Sequence, residues 1–112
     1  MPRPPAVIDV FSAIGHPRRR TLISTLAAGD KRVSELVNTL NLSQSTVSEH
    51  LNVLRSVGLV SSERQGREQI YSLNFAPLYD VTTWITQLEA FWDARHQRLA
   101  DLLETINEKE EQ

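Results

Sequence analysis

The chain has 112 residues, of which 40% are hydrophobic and 23% are charged, and it contains no cysteine. This length and composition are typical of one globular unit with a modest core, so we expect residues 1–112 to form a single domain. The lack of cysteine excludes disulfides, thiolate metal sites and thiol redox sensing. No apolar run is long enough to span a membrane, and the start of the chain lacks the apolar segment of a secretory signal. We therefore expect a cytoplasmic protein.

The formal net charge of -2 is unevenly distributed along the chain. Residues 1–73 contain nine Lys and Arg against six Asp and Glu, a balance of +3, whereas residues 74–112 contain three against eight, a balance of -5. A phosphate backbone responds to local charge more than to total charge, so the first part of the chain favours a nucleic-acid partner. A charge drift without functional meaning is the alternative.

Apolar residues at helical spacing predict a short first helix over Ala6–Ile14. A second helix is predicted over residues 17–28, because Pro17 suits a first helical turn and Gly29 suits the position just after a helix. Residues 31–33 are predicted to form a very short strand.

Three consecutive arginines, Arg18, Arg19 and Arg20, lie at the start of the second helix, where cations oppose the helix dipole. They are therefore not expected there for the sake of the helix itself. One interpretation is that one contacts a DNA backbone and another pairs with an acidic residue. A solvated basic face is the alternative.

A tight turn is predicted between a third helix, residues 34–40 with Ser34 as N-cap, and a fourth helix, residues 44–57 with Ser43 as N-cap. Asn41 lies in this turn, because asparagine tolerates the positive φ that such turns require. Helix, tight turn and helix form an arrangement that reads duplex DNA. Apolar residues at spacings of three and four are expected to face the core, namely Leu36, Val37, Leu40, Val47, Leu51, Leu54 and Val57.

The polar face of the fourth helix is the candidate DNA-reading surface, because short hydroxyl and amide side chains address phosphates and base edges. His50 either contacts DNA or packs beside Leu51 and Leu54. Glu49 either accepts a hydrogen bond from a base or pairs with Arg55. An ordinary helical hairpin with a solvated face is the alternative interpretation. The candidate DNA-binding residues of this segment are Ser43, Gln44, Ser45, Thr46, Ser48, Glu49, His50 and Asn52.

Two alternating runs, Leu59–Glu63 and Glu68–Leu73, predict a β-hairpin with its turn at residues 65–66. Guanidinium groups at the tip of a hairpin are suited to the minor groove, where the negative potential is enhanced. The candidate DNA-binding residues of the tip are Arg64, Gln65 and Arg67. A solvated turn is the alternative.

Apolar residues recur from Leu78 onward at close to 3.6-residue spacing, which predicts one long amphipathic helix over about residues 78–107. Its two tryptophans, phenylalanine and aliphatic residues exceed what a small core needs, so we expect a second copy of the chain to cover them. Folding back onto its own core and binding of a different protein are the alternatives. The candidate dimerisation residues are Val7, Phe11, Trp84, Leu88, Phe91, Trp92 and Leu99.

In combination, these motifs resemble the ArsR/SmtB family of winged-helix repressors. The resemblance rests on AIGHPRR at residues 13–19, SQSTVSEHL at 43–51, LRSVGLV at 54–60, and RQGR followed by YSL within 64–73. It implies a winged helix-turn-helix fold, mainly α with a small β-hairpin, in the order α-α-(β)-α-α-β-β-α. It also implies a homodimer that represses transcription from a palindromic operator until an inducer arrives.

Many members of that family sense metals, and here the sequence departs from them. By similarity, the two thiolate positions of the family fall at Arg32 and Ser34, which supply no soft ligand. Asp93 and His96 lie three residues apart on the last helix, which leaves open a weak zinc or nickel site across a dimer. A solvent-exposed pair is the alternative. The chain more closely resembles a branch without an evident metal site, through an FW…R…L pattern within residues 91–99, so we expect no cofactor.

No catalytic constellation is evident in the sequence. His16, His50 and His96 fall on different predicted elements, and there is no glycine-rich phosphate loop or cysteine nucleophile. We therefore expect a transcriptional regulator and not an enzyme. Its expected partners are double-stranded DNA and a second copy, with an inducer of unknown identity and no membrane.

Overall fold

The computed structural model describes residues 9–110 and confirms the mainly helical fold with a small sheet. Part of the predicted first helix, residues 6–8, lies outside the described residues. The last helix continues to Glu110 and is longer than predicted. The elements are α1 (Val10–Ile14), α2 (Pro17–Ala27), β1 (Lys31–Arg32), α3 (Val33–Leu40), α4 (Gln44–Ser56), β2 (Val60–Gln65), β3 (Glu68–Leu73) and α5 (Leu78–Glu110).

The described residues form two compact units, one that ends at Asp80 and one that begins at Val81. The first unit contains α1 to α4 and the sheet, and the second consists of α5 beyond its first turn. None of the helices within residues 9–110 is long and apolar enough to cross a bilayer.

The core of the first unit is built from aliphatic side chains on α2, α3 and α4. Of the predicted inward positions, Leu36, Val47, Leu51 and Leu54 are confirmed, while Val37, Leu40 and Val57 are only half-buried. Full burial of one such side chain stabilises the fold by roughly 1.5–3 kcal/mol, so this cluster holds α4 firmly against the unit. The largest fully buried residues are Leu22, Leu36, Leu51, Leu54, Leu59 and Val47.

The turn between α3 and α4 has the predicted geometry. Asn41 adopts φ 54° and ψ 47°, and its backbone N–H donates to the carbonyl of Val37 at 2.9 Å. Ser43 is extended, and its hydroxyl accepts from the N–H of Thr46 at 3.2 Å. The capped turn therefore fixes where α4 begins.

The predicted N-cap of α3 is wrong by two residues. The helix begins at Val33, and the N-cap is Arg32, whose backbone N–H donates to the carboxylate of Glu35 at 3.3 Å. Ser34 lies inside the first turn, where its hydroxyl donates to Glu68 at 3.2 Å. The local sequence favours Ser34 as an N-cap, but its hydroxyl is bound by Glu68, which lies on β3 and is distant in sequence.

The three-stranded antiparallel sheet has the order β1-β3-β2. Gln65 pairs with Glu68, so the turn of the hairpin lies at Gly66 and Arg67 and not at residues 65–66 as predicted. The φ of 64° at Gly66 explains this register, because the two-residue turns that match the twist of a β-hairpin need a positive φ at their first residue. Tyr71 pairs with Ser62 on one side and with Lys31 on the other.

Candidate nucleic-acid interface

The outer face of α4 is polar, whereas its inner face is fully buried. Val47, Leu51 and Leu54 have no exposed surface. We call the opposite side the reading surface; its exposed residues are Gln44, Ser45, Glu49 and Asn52, and Ser48 at its edge is half-buried. The helical repeat produces this separation, because the buried positions are three and four residues apart.

A cluster of hydroxyl groups surrounds the N-terminus of α4. The Ser43 hydroxyl donates to Oγ1 of Thr46 at 2.8 Å and lies 3.2 Å from Oγ of Ser45. The first N–H groups of a helix lack intrahelical acceptors and carry the positive end of its dipole. Together the hydroxyls and this helix end form a surface with the chemistry to bind a phosphate oxygen.

The ring of His50 lies close to the start of α2. Its ring lies 4.6 Å from the ring of His16, and its Nδ1 is 3.5 Å from Nη1 of Arg19. Burial lowers the pKa of His50 below 6.5, and the charges of His16, Arg19 and Arg18 lower it further, while Glu49 raises it. The half-buried imidazole is therefore held neutral where α4 meets the start of α2.

Folding stability should fall as the pH drops below the ordinary histidine pKa of 6.5. Because the pKa of His50 is lower in the folded chain, the unfolded chain is protonated first as the pH falls, and this protonation stabilises the unfolded state. Above pH 6.5 the imidazole is neutral in both states, so this difference disappears. Urea midpoints near pH 7.5 and near pH 5.5 measure the loss, which should be smaller in His50→Gln. His96→Gln on α5 is the control, and an equal loss in His50→Gln and the parent would contradict this account.

The three arginines of α2 do not pair with acidic residues among the ion pairs of residues 9–110. Arg19 donates from Nε to the carbonyl of Ala13 at 2.6 Å and from Nη2 to the carbonyl of Ser12 at 3.2 Å. Arg20 donates from Nη1 to the carbonyl of Ile14 at 2.9 Å. These carbonyls lie at the end of α1, and that of Ser12 also accepts from the N–H of Gly15, so the guanidinium groups help to cap the short helix. Sequence spacing carries no signal for this role.

The tip of the hairpin, residues 64–67, carries two exposed guanidinium groups. Arg64 donates from Nε to the carbonyl of Gly66 at 3.3 Å, a contact within the turn. Arg67 is the second turn residue and is exposed, as is Gln65. The first unit therefore presents the reading surface and a basic tip, the two features predicted for DNA contact.

Glu68 lies directly after the tip, but its carboxylate is turned toward β1 and α3. Its Oε2 is 3.3 Å from Nη1 of Arg32, and its Oε1 accepts from the hydroxyl of Ser34. Sequence reasoning missed this cluster, because its members are more than thirty residues apart. Arg32 and Ser34, the two positions at which the family resemblance implied thiolates, are thus engaged with β3.

The apolar stripe of α5 is exposed in this chain. Trp84, Leu88, Phe91, Trp92 and Leu99 are between 45% and 71% exposed. Phe11 on α1 is 38% exposed, and Val7 lies outside the described residues. These fractions are high for large apolar side chains of a globular protein, and they agree with the expectation that a partner covers them.

Asp93 and His96 lie within the same stretch of α5. The ring of His96 packs edge-on against the ring of Trp92 at 4.3 Å. Across residues 9–110, no group of three or more His, Asp or Glu side chains is arranged to hold a metal ion. Within one chain, Asp93 and His96 therefore offer two ligands at most.

Comparisons with known proteins agree with the fold described above. The family described as bacterial regulatory protein, arsR family, matches residues 16–62, which include the helix-turn-helix and the start of the hairpin. The chain is similar to the transcriptional repressor SdpR of Bacillus subtilis, with 35% identity over 77 residues that cover 69% of this chain and 86% of SdpR.

Solved structures give the same result. An ArsR-like transcriptional regulator from Rhodococcus sp. RHA1 has a TM-score of 0.67 and 30% identity, covering 86% of this chain and 88% of its own. The transcriptional repressor BigR from Xylella fastidiosa has a TM-score of 0.58 and 29% identity, covering 70% of this chain and 80% of its own.

Proposed function

This chain belongs to the arsR family of bacterial regulatory proteins, and from that membership we propose that it is a homodimeric repressor of a palindromic operator. The family consists of transcriptional regulators and not of enzymes. Its DNA-binding role agrees with a basic first part of the chain that contains the helix-turn-helix. The repressor direction is supported by SdpR and BigR, which are both repressors by name.

The observation that carries the proposal is the joint presence of two DNA-binding features in one compact unit. The N-terminus of α4 supplies hydroxyl groups and helix N–H groups to phosphates, while Gln44, Ser48 and Asn52 are placed on the side that addresses base edges. The tip adds the guanidinium groups of Arg64 and Arg67 for the adjacent minor groove. Thr46, Glu49, His50 and Gln65 complete the proposed interface.

Dimerisation through α5 follows from its exposed apolar stripe and gives the operator its symmetry. Two copies related by a two-fold axis present two copies of α4, and half-sites one DNA turn apart, about 34–36 Å, match that arrangement. The proposed contact residues are Trp84, Leu88, Phe91, Trp92 and Leu99, together with Phe11 and Val7.

Nuclease protection of the DNA that flanks the protein's own gene tests the proposal. We expect two protected segments about one helical turn apart, and an affinity that falls steeply as salt rises because phosphate counterions are released. Zinc or nickel should leave the pattern unchanged if Asp93 and His96 are a solvent-exposed pair, whereas a changed pattern would indicate a metal site shared across the dimer. Failure to protect any genomic fragment at low ionic strength would refute the proposed function.

A further inference from the structure

Arg55 in the last turn of α4 contacts both strands of the hairpin through one guanidinium group. Its Nη2 donates to the hydroxyl of Ser62 on β2 and to the hydroxyl of Tyr71 on β3, the latter at 3.3 Å. Its Cζ also lies 5.5 Å from the centre of the Tyr71 ring. Ser62 and Tyr71 are directly paired in the sheet, so Arg55 binds the hairpin at a single cross-strand pair.

This contact lies at the point where the sheet narrows from three strands to two. The β1 strand pairs with Tyr71 and Ile70 only, so the hairpin from Gln69 to the tip has no third strand. Two-stranded ribbons are only marginally stable and twist readily. Arg67 in the tip is four residues from Tyr71, roughly 13 Å along the strand, so a small rotation at that pair is enlarged at Arg67.

We propose that Arg55 is a positioning residue that holds the wing, residues 60–73, at a fixed angle to α4, so that the reading surface and the tip engage DNA together. Arginine suits this role because its planar fork serves two acceptors while its face stacks on an aromatic ring. The functional half of this inference rests on the proposed DNA-binding function, and its structural half does not.

Two other roles of Arg55 predict different results. If Arg55 contacts a DNA phosphate directly, operator affinity depends on the charge of Arg55. Tyr71→Phe then leaves the affinity unchanged, because Tyr71 is only 6% exposed. A purely stabilising role at the end of α4, where a cation complements the helix dipole, lowers stability without altering the angle of the wing. The hydroxyl of Tyr71 separates these roles, since its removal changes neither a charge nor an exposed surface.

The first experiment measures the angle without DNA. Because the chain has no native cysteine, nitroxide labels can be attached at Asn52→Cys on α4 and Gln69→Cys on β3. Mixing the labelled protein with an excess of unlabelled protein leaves one labelled copy per dimer, so pulsed electron resonance reports the distance within one chain. We expect a narrow distribution in the parent and a broadened or shifted one in Tyr71→Phe and Arg55→Gln. Tyr79→Phe, which removes the hydroxyl of an exposed tyrosine, is the matched control and should leave the distribution unchanged.

The second experiment measures operator affinity in unlabelled protein. Tyr71→Phe removes one hydrogen bond from each copy of the dimer, so binding should weaken by up to about thirtyfold. The loss of affinity caused by Arg67→Ala should be smaller in the Tyr71→Phe background. When the tip is not held at a fixed angle, the guanidinium of Arg67 contributes less to binding. Arg55→Lys keeps the positive charge but not the planar fork, so it should weaken operator binding as Arg55→Gln does.

The outcomes separate the inference from the proposed function. An unchanged distance distribution in both Tyr71→Phe and Arg55→Gln, with folding intact by circular dichroism, overturns the positioning role whether or not the protein binds DNA. A lower salt slope in Arg55→Gln with an unchanged distribution assigns Arg55 to a phosphate and also overturns it. A broadened distribution combined with no effect of Arg67→Ala upholds the positioning role and refutes the DNA contact of the tip.

Discussion

Replacing Ser48 and Arg67 together with alanine should weaken operator binding by about two to three orders of magnitude. Each substitution removes a contact worth about 1 kcal/mol or more, and a dimer loses it at both half-sites, so about four contacts disappear. Fluorescence anisotropy with the protected DNA fragment measures the loss. The slope of log affinity against log salt should fall by about two, because one guanidinium is lost from each half-site.

A matched control variant tests whether the loss of operator affinity is specific to the reading surface and the tip. Ser24→Ala with Lys109→Ala also removes one hydroxyl and one positive charge, but from exposed positions on α2 and α5 outside the interface. This variant should bind the operator like the parent, and both variants should keep the parent's mass and helical content. Unchanged affinity in the Ser48 and Arg67 variant would show that α4 and the tip do not read the DNA.

Charges introduced into the stripe of α5 should dissociate the dimer. Leu88→Glu with Leu99→Glu places two carboxylates on each copy at positions that are 45% and 54% exposed in the single chain. In a two-fold interface these side chains would be buried without partners, which weakens association by about 1000-fold or more. Light scattering after gel filtration should give a mass of 12.7 kDa for this variant and twice that value for the parent.

The control for this variant is Thr86→Glu, which adds a carboxylate to α5 on a side surrounded by polar residues. It should remain dimeric and bind the operator. A parent protein that is itself monomeric at micromolar concentration would contradict the dimer and favour a different protein as the partner of α5. A variant that stays dimeric would place the interface elsewhere on the chain.

The sequence was most informative where local chemistry decides the structure. Ser43 caps α4 and Asn41 takes the left-handed turn because their side chains and backbones favour these states without help from distant residues. The inward positions of α4 follow from helical periodicity alone. Alternating runs predict the hairpin and its place after α4, and the family resemblance identifies that hairpin as a wing.

The errors arose where a distant partner overrides a local preference. Ser34 has the chemistry of a cap, yet Glu68 engages its hydroxyl and the helix begins earlier. The hairpin turn moved by one residue because the left-handed conformation of Gly66 sets the pairing of Gln65 with Glu68. Sequence spacing also gave no sign of the contacts of His50 with His16 and Arg19, which lie at the start of α2.

The orientation of Glu68 also affects how fast the protein finds DNA. With its carboxylate bound to Arg32, this residue neutralises a cation on β1 instead of the guanidinium of Arg67 beside it. The end of the hairpin therefore acts as a small positive pole on a chain whose net charge is negative. Such a pole attracts the polyanion over about one Debye length, so the encounter rate will depend on ionic strength more strongly than the net charge of -2 implies.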